Sequence, residues 1–343
     1  MRALSFVALL LVGCTTVAPP SVDAPMVAAT AETDPVDTAA DAADDPAIWR
    51  NAADPAKSLV IGTDKKAGIH VYSLTGKRLS FTPAARLNNV DLRDLGGKAG
   101  GRVIAAASDR ADVNTAHVSL FALDTAAARL VPLGRFPVGP GEAYGMCLWT
   151  RASDKALFGF VVLKDGRIDQ VAIDVSGPSP KVTTVRSMKL GTQAEGCVVD
   201  DRTGQLYVAE EDVGLWRFDA DPAAPVTATP IAKIDGRTLV ADAEGLALAP
   251  LGKSGGYLVV SSQGDNAYTL YRLPGVTYAG RFRIGGGAID GTSDTDGIDL
   301  MLGNFGPAYP HGLMVAQDGD NAPATQNFKY VSWDAIRRAL KIR

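Results

Sequence analysis

The chain has 343 residues, of which 46% are hydrophobic and 21% are charged, a balance typical of a globular protein with a sizeable core. The formal net charge is −4, and no long basic run gives any indication of a nucleic-acid partner. Glycine is abundant, with 36 residues, and aromatic residues make up only 7%, which favours many turns between short strands.

The N-terminal residues read as a targeting signal. Arg2 precedes an apolar run at residues 4–12, which is too short to span a bilayer as a mature helix. The run ends in Leu11-Val12-Gly13-Cys14, which resembles the bacterial lipobox. We therefore predict a signal peptide over residues 1–14, lipidation of Cys14, and export to a membrane-anchored position, by analogy the outer membrane of a Gram-negative bacterium. An ordinary cleaved signal peptide is the alternative.

The next segment, residues 15–37, is rich in Ala, Pro, Thr, Val and Asp and has no periodicity. This composition predicts a disordered tether, so the folded domain is expected to cover residues 38–343. Apart from Cys14, the cysteines are Cys147 and Cys197. An exported protein could join them in a disulfide, or they could be two small buried residues.

The rest of the chain contains a repeat. An apolar strand, a polar loop and a second β-rich strand recur about six times, at intervals of roughly 45–55 residues, as expected of four-stranded propeller blades. The paired strands fall at residues 59–63 and 68–72, 103–107 and 117–121, 160–163 and 168–171, 206–209 and 215–218, 257–260 and 268–271, and 313–316 and 328–331.

A second landmark is a residue–glycine pair that opens an apolar run upstream of several copies. The pairs are Tyr144-Gly145, Glu195-Gly196, Glu244-Gly245 and Asp296-Gly297. We interpret these runs as the innermost strands around a central channel. The fold class predicted is all-β, a six-bladed β-propeller, with a β-sandwich as the alternative and one amphipathic helix at residues 333–340. By position, residues 328–333 are expected to pair with residues 47–49 and seal the ring.

Equivalent loops of all blades meet at one end of a propeller, and here they divide by charge. The first three copies supply Lys65, Lys66, Arg110 and Lys164. The last three and the inner strands supply Glu210, Glu211, Asp212, Asp265, Asp318, Gln317, Glu195, Asp242, Glu244, Asp290, Asp294, Asp296 and Asp299. So many carboxylates would repel one another without a cation among them, and the ligand types favour calcium. Because the basic residues suit phosphate oxygens, metal-assisted phosphoryl hydrolysis is indicated; a purely structural calcium rim is the alternative.

The ordered motifs resemble one known family, the β-propeller phytases, which are calcium-dependent alkaline phytases of the 3-phytase type. The motifs are residues 41–49 (DAADDPAIW), 87–93 (LNNVDLR), 193–196 (QAEG), 208–212 (VAEED), 242–245 (DAEG), 261–264 (SSQG), 290–299 (DGTSDTDGID) and 315–319 (VAQDG). The likeness covers about residues 38–340, and it implies a hydrolase of phytate (myo-inositol hexakisphosphate), with several structural and catalytic calcium ions.

The resemblance also implies roles for particular residues. Those similar to catalytic calcium ligands are Asp44, Glu195, Glu211, Asp242, Glu244, Asp290 and Asp296. Those similar to stabilising calcium ligands are Asp45, Asn89, Val90 (through its carbonyl) and Gln317. Substrate binding falls to Lys65, Lys66, Arg110, Tyr144 and Lys164. The residues expected to act in catalysis are Lys65, Arg110, Tyr144, Lys164, Glu195 and Asp242.

The mechanism expected is in-line attack by a metal-activated water, without a phosphoenzyme, and either Glu195 or Asp242 positions that water. The substrate is expected to be phytate or its calcium complex, and the enzyme is expected to be a monomer. Two other interpretations remain open: a non-catalytic, calcium-stabilised propeller that binds a partner at the cell surface, and a lactonase-like calcium propeller.

Overall fold

The structure is a computed structural model that describes residues 22–96 and 102–343. The predicted signal peptide and Cys14 lie outside these residues. In the described ranges the chain forms six sheets, each built on antiparallel strands, arranged as the blades of a β-propeller, which confirms the predicted fold class. The predicted C-terminal helix is also confirmed, as α1 (Trp333–Leu340). No helix in the described ranges has both the length and the apolar character needed to cross a bilayer.

Two short strands, β1 (Met26–Val27) and β2 (Ala31–Glu32), precede the blades. Blade 1 consists of β3 (Ala43–Trp49), β4 (Leu59–Asp64), β5 (Gly68–Ser73) and β6 (Arg78–Pro83). Blade 2 consists of β7 (Leu87–Asp94), β8 (Val103–Asp109), β9 (Thr115–Asp124) and β10 (Arg129–Pro140). Blade 3 consists of β11 (Ala143–Thr150), β12 (Leu157–Leu163), β13 (Arg167–Asp174) and β14 (Lys181–Lys189). Blade 4 consists of β15 (Ala194–Asp200), β16 (Gln205–Glu210), β17 (Gly214–Asp219) and β18 (Thr229–Lys233).

The last two blades borrow strands from the N-terminus. Blade 5 contains β19 (Ala243–Leu251), β20 (Gly255–Ser262), β21 (Ala267–Leu273) and β22 (Thr277–Ile284), with β1 added in parallel to β22. Blade 6 contains β23 (Ile298–Leu302), β24 (Gly312–Asp318) and β25 (Asn327–Ser332), with β2 added antiparallel to β25. Short 3₁₀ turns occupy Pro55–Lys57 and Gln263–Asp265.

The sequence of each strand reflects its distance from the axis. All seven residues of β8 are buried, because it packs between neighbouring blades on both faces, and such strands are continuously apolar or small. In β6, at the rim of blade 1, half-buried and exposed residues alternate, as expected of a strand with one face in solvent. The repeated strand pairs predicted from the sequence are the two middle strands of each blade.

The innermost strands β3, β7, β11, β15, β19 and β23 contact one another in turn around the axis, and β23 returns to β3. This confirms the predicted role of the runs that follow the residue–glycine pairs. These strands surround a channel cavity of about 290 Å³ lined by Ile48, Leu92, Met146, Val198 and Leu246, among others. The cysteine question is also resolved, since Cys147 in β11 and Cys197 in β15 form a disulfide that joins blades 3 and 4.

The predicted tether is wrong for the part that the structure describes. Met26 and Val27 pair with Arg283 and Ile284, and the backbone of residues 30–36 is hydrogen-bonded to blade 6. Val27 and Val36 are buried. Composition favoured disorder, but strand addition at two open sheet edges satisfies the backbone of this segment and so outweighs its low local propensity. The folded unit therefore begins well before residue 38.

The predicted ring closure is also wrong in its partners. The strand β25 pairs with β24 on one side and with β2 on the other, whereas β3 pairs with β4. Blade 6 therefore receives its outermost strand from the N-terminus. No strand of blade 6 pairs with a strand of blade 1 in the described residues, and the two blades are joined by single hydrogen bonds such as that from the backbone N–H of Ile48 to Asp299 at 2.8 Å.

A buried lysine lies at this seal. The side chain of Lys329 is fully buried, and its ammonium lies 2.6 Å from Glu32, 2.5 Å from Asp290 and 3.2 Å from Asp318. Burial alone would lower the pKa of Lys329, but hydrogen bonds with Asp290 and Glu32 outweigh burial and raise it. Since Glu32 is in β2 and Lys329 is in β25, this charge cluster connects the two ends of the chain.

Replacing Lys329 is expected to weaken the seal. In Lys329→Met the carboxylates of Glu32, Asp290 and Asp318 lose their shared cation. We expect the free energy of unfolding to fall by about 3 kcal/mol, the lower end for breaking a buried ion pair, since Glu32 and Asp290 keep contact with water. Urea denaturation measures the change. The control is Lys57→Met, which removes an exposed pair with Asp54 and should change stability by less than about 0.5 kcal/mol; equal effects of the two variants would contradict the prediction.

Candidate active site

One end of the propeller forms an open pocket of about 750 Å³, which we call the mouth. Its lining includes Lys65, Tyr144, Glu211, Asp242, Glu244 and Asp296. These residues belong to five blades or to the loops beside them. The prediction that distant loops converge at a single end is therefore confirmed for these six residues.

A repeated irregularity of the inner strands directs the mouth side chains. Where β15 pairs with β16, the register shifts between Ala194 and Cys197, so Glu195 and Gly196 lie in a bulge. The same shift occurs between Ala243 and Leu246 in β19 and between Ala43 and Pro46 in β3. Bulges re-aim side chains relative to the regular pleat. The bulged positions carry the functional candidates Asp44, Asp45, Asn88, Asn89, Tyr144, Glu195 and Glu244.

The glycine of each pair permits neighbouring blades to approach closely. A Cβ on Gly196 would lie 2.1 Å from the carbonyl oxygen of Glu244. A Cβ on Gly297 would lie 2.2 Å from Oδ1 of Asp45. Both distances are impossible contacts, so only glycine fits where the backbone of one blade lies against the acidic residue of the next. The residue–glycine pairs therefore bring the carboxylates together.

Three buried glutamates form the centre of the mouth. Ligand oxygens of Glu195, Glu211 and Glu244 lie within 4.8 Å of one another. Oε1 of Glu211 and Oε2 of Glu244 are buried and have no hydrogen-bond partner among the described residues. Burial, together with the charges of Asp44 and Asp296, raises the pKa of Glu195 well above its usual range. Orphaned carboxylate oxygens at this spacing fit a hard, oxygen-preferring cation such as calcium.

Burial also raises the pKa of the other carboxyl groups around this centre. For Glu244 the charges of Glu195 and Asp296 add to burial, and for Glu211 the charge of Asp242 opposes the lowering effect of a hydrogen bond from Gln193. The pKa of Asp296 rises to about 7, because of burial and then the charge of Asp44. The mouth therefore favours either protons or a cation over bare carboxylates.

Lys65 is embedded among acids. Its ammonium lies 2.6 Å from Asp41, 3.0 Å from Asp44 and 3.1 Å from Asp296. Although burial disfavours its charge, the carboxylates of Asp44 and Asp296 raise the pKa of Lys65. Asp44 is buried, whereas the side chain of Asp41 is 72% exposed. An incoming anion could therefore displace Asp41 from Lys65 while Asp44 stays in place.

The other basic groups surround the ring of Tyr144. The guanidinium carbon of Arg110 and the ammonium of Lys164 each lie 5.0 Å from the ring centroid, within the range of a cation–π contact. Burial and the charge of Glu195 raise the pKa of the Tyr144 hydroxyl, which keeps it protonated. The structure thus brings Arg110, Tyr144 and Lys164 together beside Glu195.

Several predicted calcium ligands lie outside this centre. Asp290 pairs with Lys329 at the seal. Asp45, Asn89 and Val90 line the channel behind the mouth, where the backbone N–H of Val90 donates to Oδ2 of Asp45 at 2.9 Å. Gln317 accepts a hydrogen bond from the backbone N–H of Asp296 at 2.8 Å, and its own Nε2 has no partner among the described residues.

Some residues expected at the mouth have other partners. Lys66 is exposed, and its ammonium donates to the carbonyl of Ala39. Some of the carboxylates predicted to meet at the mouth are also bound elsewhere. Glu210 accepts from Trp216, Asp265 pairs with Arg281, and Asp318 lies against Lys329. Glu210 and Asp318 are the last residues of β16 and β24, and Asp265 lies in the turn after β20. Their partners within the blades give these carboxylates a structural role.

Three further residues lie at or beside the mouth, and the sequence motifs predicted no role for them. They are Asp41, Asn88 and Glu142; the last accepts from Nε of Arg110 at 2.8 Å. Asp41 and Asn88 lie inside the recognised motifs at residues 41–49 and 87–93. Because these motifs also contain residues with predicted roles, proximity in the sequence was the signal that could have identified Asp41 and Asn88.

Known proteins resemble this chain over most of its length. A family model described as Phytase matches residues 2–342. The chain is 43% identical over 328 residues to a 3-phytase of Bacillus subtilis (strain 168), covering 92% of this chain and 85% of that protein. Among solved structures, a functionally unknown protein from Desulfotomaculum acetoxidans is similar with a TM-score of 0.46 and 17% identity, over 68% of this chain and 70% of that chain.

The raised pKa values predict how the metal-free protein responds to pH. Because Glu195, Glu244 and Asp296 have higher pKa values folded than unfolded, the folded state binds more protons, and stability falls as pH rises above about 4. For Asp296 this fall extends to its folded pKa of about 7. Glu244→Gln should flatten this decline and stabilise the protein in EGTA at pH 8 by about 1–3 kcal/mol. In millimolar calcium the same variant should gain less stability than the unaltered protein. Thermal melting in EGTA and in calcium measures both.

The control for this prediction is Asp154→Asn, which removes an exposed carboxylate paired with Arg151. It should leave the pH slope and the response to calcium unchanged. A Glu244→Gln protein that melts lower in EGTA than the unaltered protein would contradict the account of repulsion in the mouth.

Proposed function

The chain belongs to the phytase family and is a phosphoric monoester hydrolase, and on that premise we propose that it is a calcium-dependent phytase that removes phosphate from phytate, myo-inositol hexakisphosphate. The observation that carries the proposal is that two groups of residues share the mouth. The glutamates with orphaned oxygens, Glu211 and Glu244, line it together with Tyr144, and Arg110 and Lys164 lie against the ring of Tyr144. A site for cations therefore adjoins a site for phosphate oxygens.

Glu195, Glu211 and Glu244 would hold calcium, with Asp44, Asp242 and Asp296 around them. When bound, calcium supplies Lewis-acid polarisation and neutralises charge on the phosphoryl group. The clustered carboxylates and the polyanionic substrate both favour a cation between them, which supports calcium–phytate as the species bound.

Arg110 has N–H donors that could bind a phosphoryl group. Of its five N–H donors, Nε and one on Nη2 contact Glu142, and one on Nη1 contacts Asn88. One N–H on each of Nη1 and Nη2 has no partner among the described residues, and a guanidinium can donate two such N–H groups to the oxygens of one phosphate. Lys164, on the same aromatic ring, adds a mobile charge for the equatorial oxygens as they become more negative.

Of the two carboxylates proposed to position the water, Asp242 is better placed. It lines the mouth and is half-buried, whereas Glu195 is almost fully buried and accepts a hydrogen bond from Asn88 at 2.9 Å. Burial and then the charge of Asp212 raise the pKa of Asp242, which makes it a better proton acceptor. We therefore assign the orienting role to Asp242, with attack in line with the leaving inositol oxygen and no covalent intermediate.

All these groups belong to one chain, which supports a monomeric enzyme. Analytical sedimentation of the purified protein measures its oligomeric state.

Phosphate release from phytate tests the proposal directly. We expect release in calcium and its loss in EGTA. We also expect Lys164→Met and Arg110→Ala to lower kcat/KM by about a hundredfold, the effect typical of removing one donor from a transition-state oxygen. Lys57→Met, on the turn at the other end of blade 1, is the matched control and should keep full activity. Undiminished release in EGTA would refute calcium dependence.

We also propose that the enzyme is exported and held at a membrane by lipid on Cys14. The disulfide Cys147–Cys197 supports export, since such bonds persist in oxidising compartments. In a Gram-negative host, the full-length protein should sediment with the membrane fraction, because the chains on a lipoprotein cysteine anchor stably. Cys14→Ser should be soluble or uncleaved, and Cys14→Ser protein found lipidated in the membrane would contradict the assignment. Protease accessibility in intact cells then reports which face it occupies.

A further inference from the structure

The buried side-chain amide of Asn88 connects acidic and basic residues of the mouth. Asn88, in the bulge of β7, has no solvent exposure. Its Nδ2 donates to Oε1 of Glu195 at 2.9 Å and to Oδ1 of Asp44 at 3.2 Å. Its Oδ1 accepts from Nη1 of Arg110 at 2.8 Å. The NH2 group of the amide thus faces the two carboxylates, and its oxygen faces the guanidinium.

We propose that Asn88 is a positioning residue that fixes the Arg110 guanidinium relative to the calcium-binding carboxylates Glu195 and Asp44. The inference rests on the proposed function, because it assigns phosphate to Arg110 and calcium to the carboxylates. Asn88 would contact neither the phosphate nor the calcium ion, and it would act through Arg110 and through the carboxylates. Phosphoryl transfer depends on the relative placement of these charges, since most of its catalysis is positioning and electrostatic stabilisation.

The chemistry of the position admits few alternatives. Aspartate would have the same size and could still accept from Arg110, but its second oxygen would face Glu195 and Asp44 at about 3 Å, where like charges repel. Glutamine is one methylene longer, and a fully buried site resists such overpacking. Leucine would leave Arg110 without an acceptor and both carboxylates without a donor. A short neutral amide gives two donors to the anions and an acceptor to the cation, whereas a hydroxyl has a single donor.

Glu142 holds the opposite edge of the same guanidinium, and the ring of Tyr144 lies against its face. Arg110 is therefore restrained on two edges and one face. Among the described residues, Asn88 is the contact of Arg110 that hydrogen-bonds to both Glu195 and Asp44. Loss of Asn88 should leave Arg110 bound to Glu142 and free to turn relative to the carboxylates.

The first test compares Asn88→Ala with Asn88→Ser at saturating calcium with phytate as substrate. We expect Asn88→Ala to lower kcat/KM by about ten- to a hundredfold, mainly in kcat, since misplacement is felt in the transition state. Serine should recover part of the loss, because one hydroxyl can donate to Glu195 and accept from Arg110. In an Arg110→Lys background, Asn88→Ala should cost clearly less than in the unaltered protein. Equal activity of the alanine and serine variants, or full additivity with Arg110→Lys, would overturn the proposal.

The second test needs no substrate. Asn88→Asp keeps the side-chain volume but turns the amide donors into an acceptor, so the metal-free protein should be destabilised and calcium should restore more of its stability. The difference in melting temperature between calcium and EGTA should therefore be several degrees larger than in the unaltered protein. Asn304→Asp, on an exposed loop where Oδ1 accepts from Gly306, adds the same charge and should leave the difference unchanged. An equal difference in both variants would overturn the proposal.

The two tests separate this proposal from the proposed function. If the unaltered protein released no phosphate from phytate in calcium, the proposed function would fail, yet the melting comparison would still report whether Asn88 couples to the carboxylates. If phytate were hydrolysed and both comparisons showed no special effect at Asn88, the positioning role alone would fail.

Discussion

The repulsion among carboxylates on the propeller axis is the constraint on which the rest of this structure depends. Six inner strands converge, and their bulges direct Asp44, Glu195 and Glu244 into one volume that water barely reaches. Charges so close and so poorly solvated cannot all stay ionised without compensation. Protons, basic side chains or a bound cation must supply it, and each solution has a functional consequence.

Basic side chains compensate carboxylates at three places in the structure: the mouth, the channel and the seal between β2 and β25. At the mouth, Lys65 lies among Asp41, Asp44 and Asp296. In the channel, Arg93 pairs with Asp91 at 2.8 Å and with Asp201 at 3.2 Å. The seal between the chain ends has Lys329. In the channel and at the seal, each of these carboxylates lies against a basic side chain. At the mouth, Glu211 and Glu244 have buried oxygens with no hydrogen-bond partner among the described residues and form no ion pair there. That difference locates the binding site.

Close packing of the blades makes this arrangement possible. Glycines at the inner-strand bulges let the backbone of one blade lie against the acidic residue of its neighbour, and the disulfide between β11 and β15 ties two blades beside Tyr144 and Glu195. Asp44, Tyr144, Glu195 and Glu244 are therefore held on strands, which is how precise sites are generally held, and Lys65, Arg110, Lys164 and Glu211 each directly follow the end of a strand. Asn88 extends the same principle to the contact between acids and bases.

The sequence by itself determined the number of blades, the middle strands of each blade and the inner strands, because regular spacing and continuous apolar runs are local properties of the chain. Motif resemblance also identified most of the mouth, including Lys65, Arg110, Tyr144, Lys164 and the three glutamates. The tertiary structure decided what depends on distant partners: the order of residues 26–37, the pairing of β2 with β25, the use of Glu210, Asp265 and Asp318 inside blades, and the separation of Asp290 from the mouth. A carboxylate reads the same in sequence whether it faces a lysine, an arginine or an empty pocket. Only packing brings its partner within hydrogen-bond distance, and that partner decides whether the charge is structural or available to a ligand.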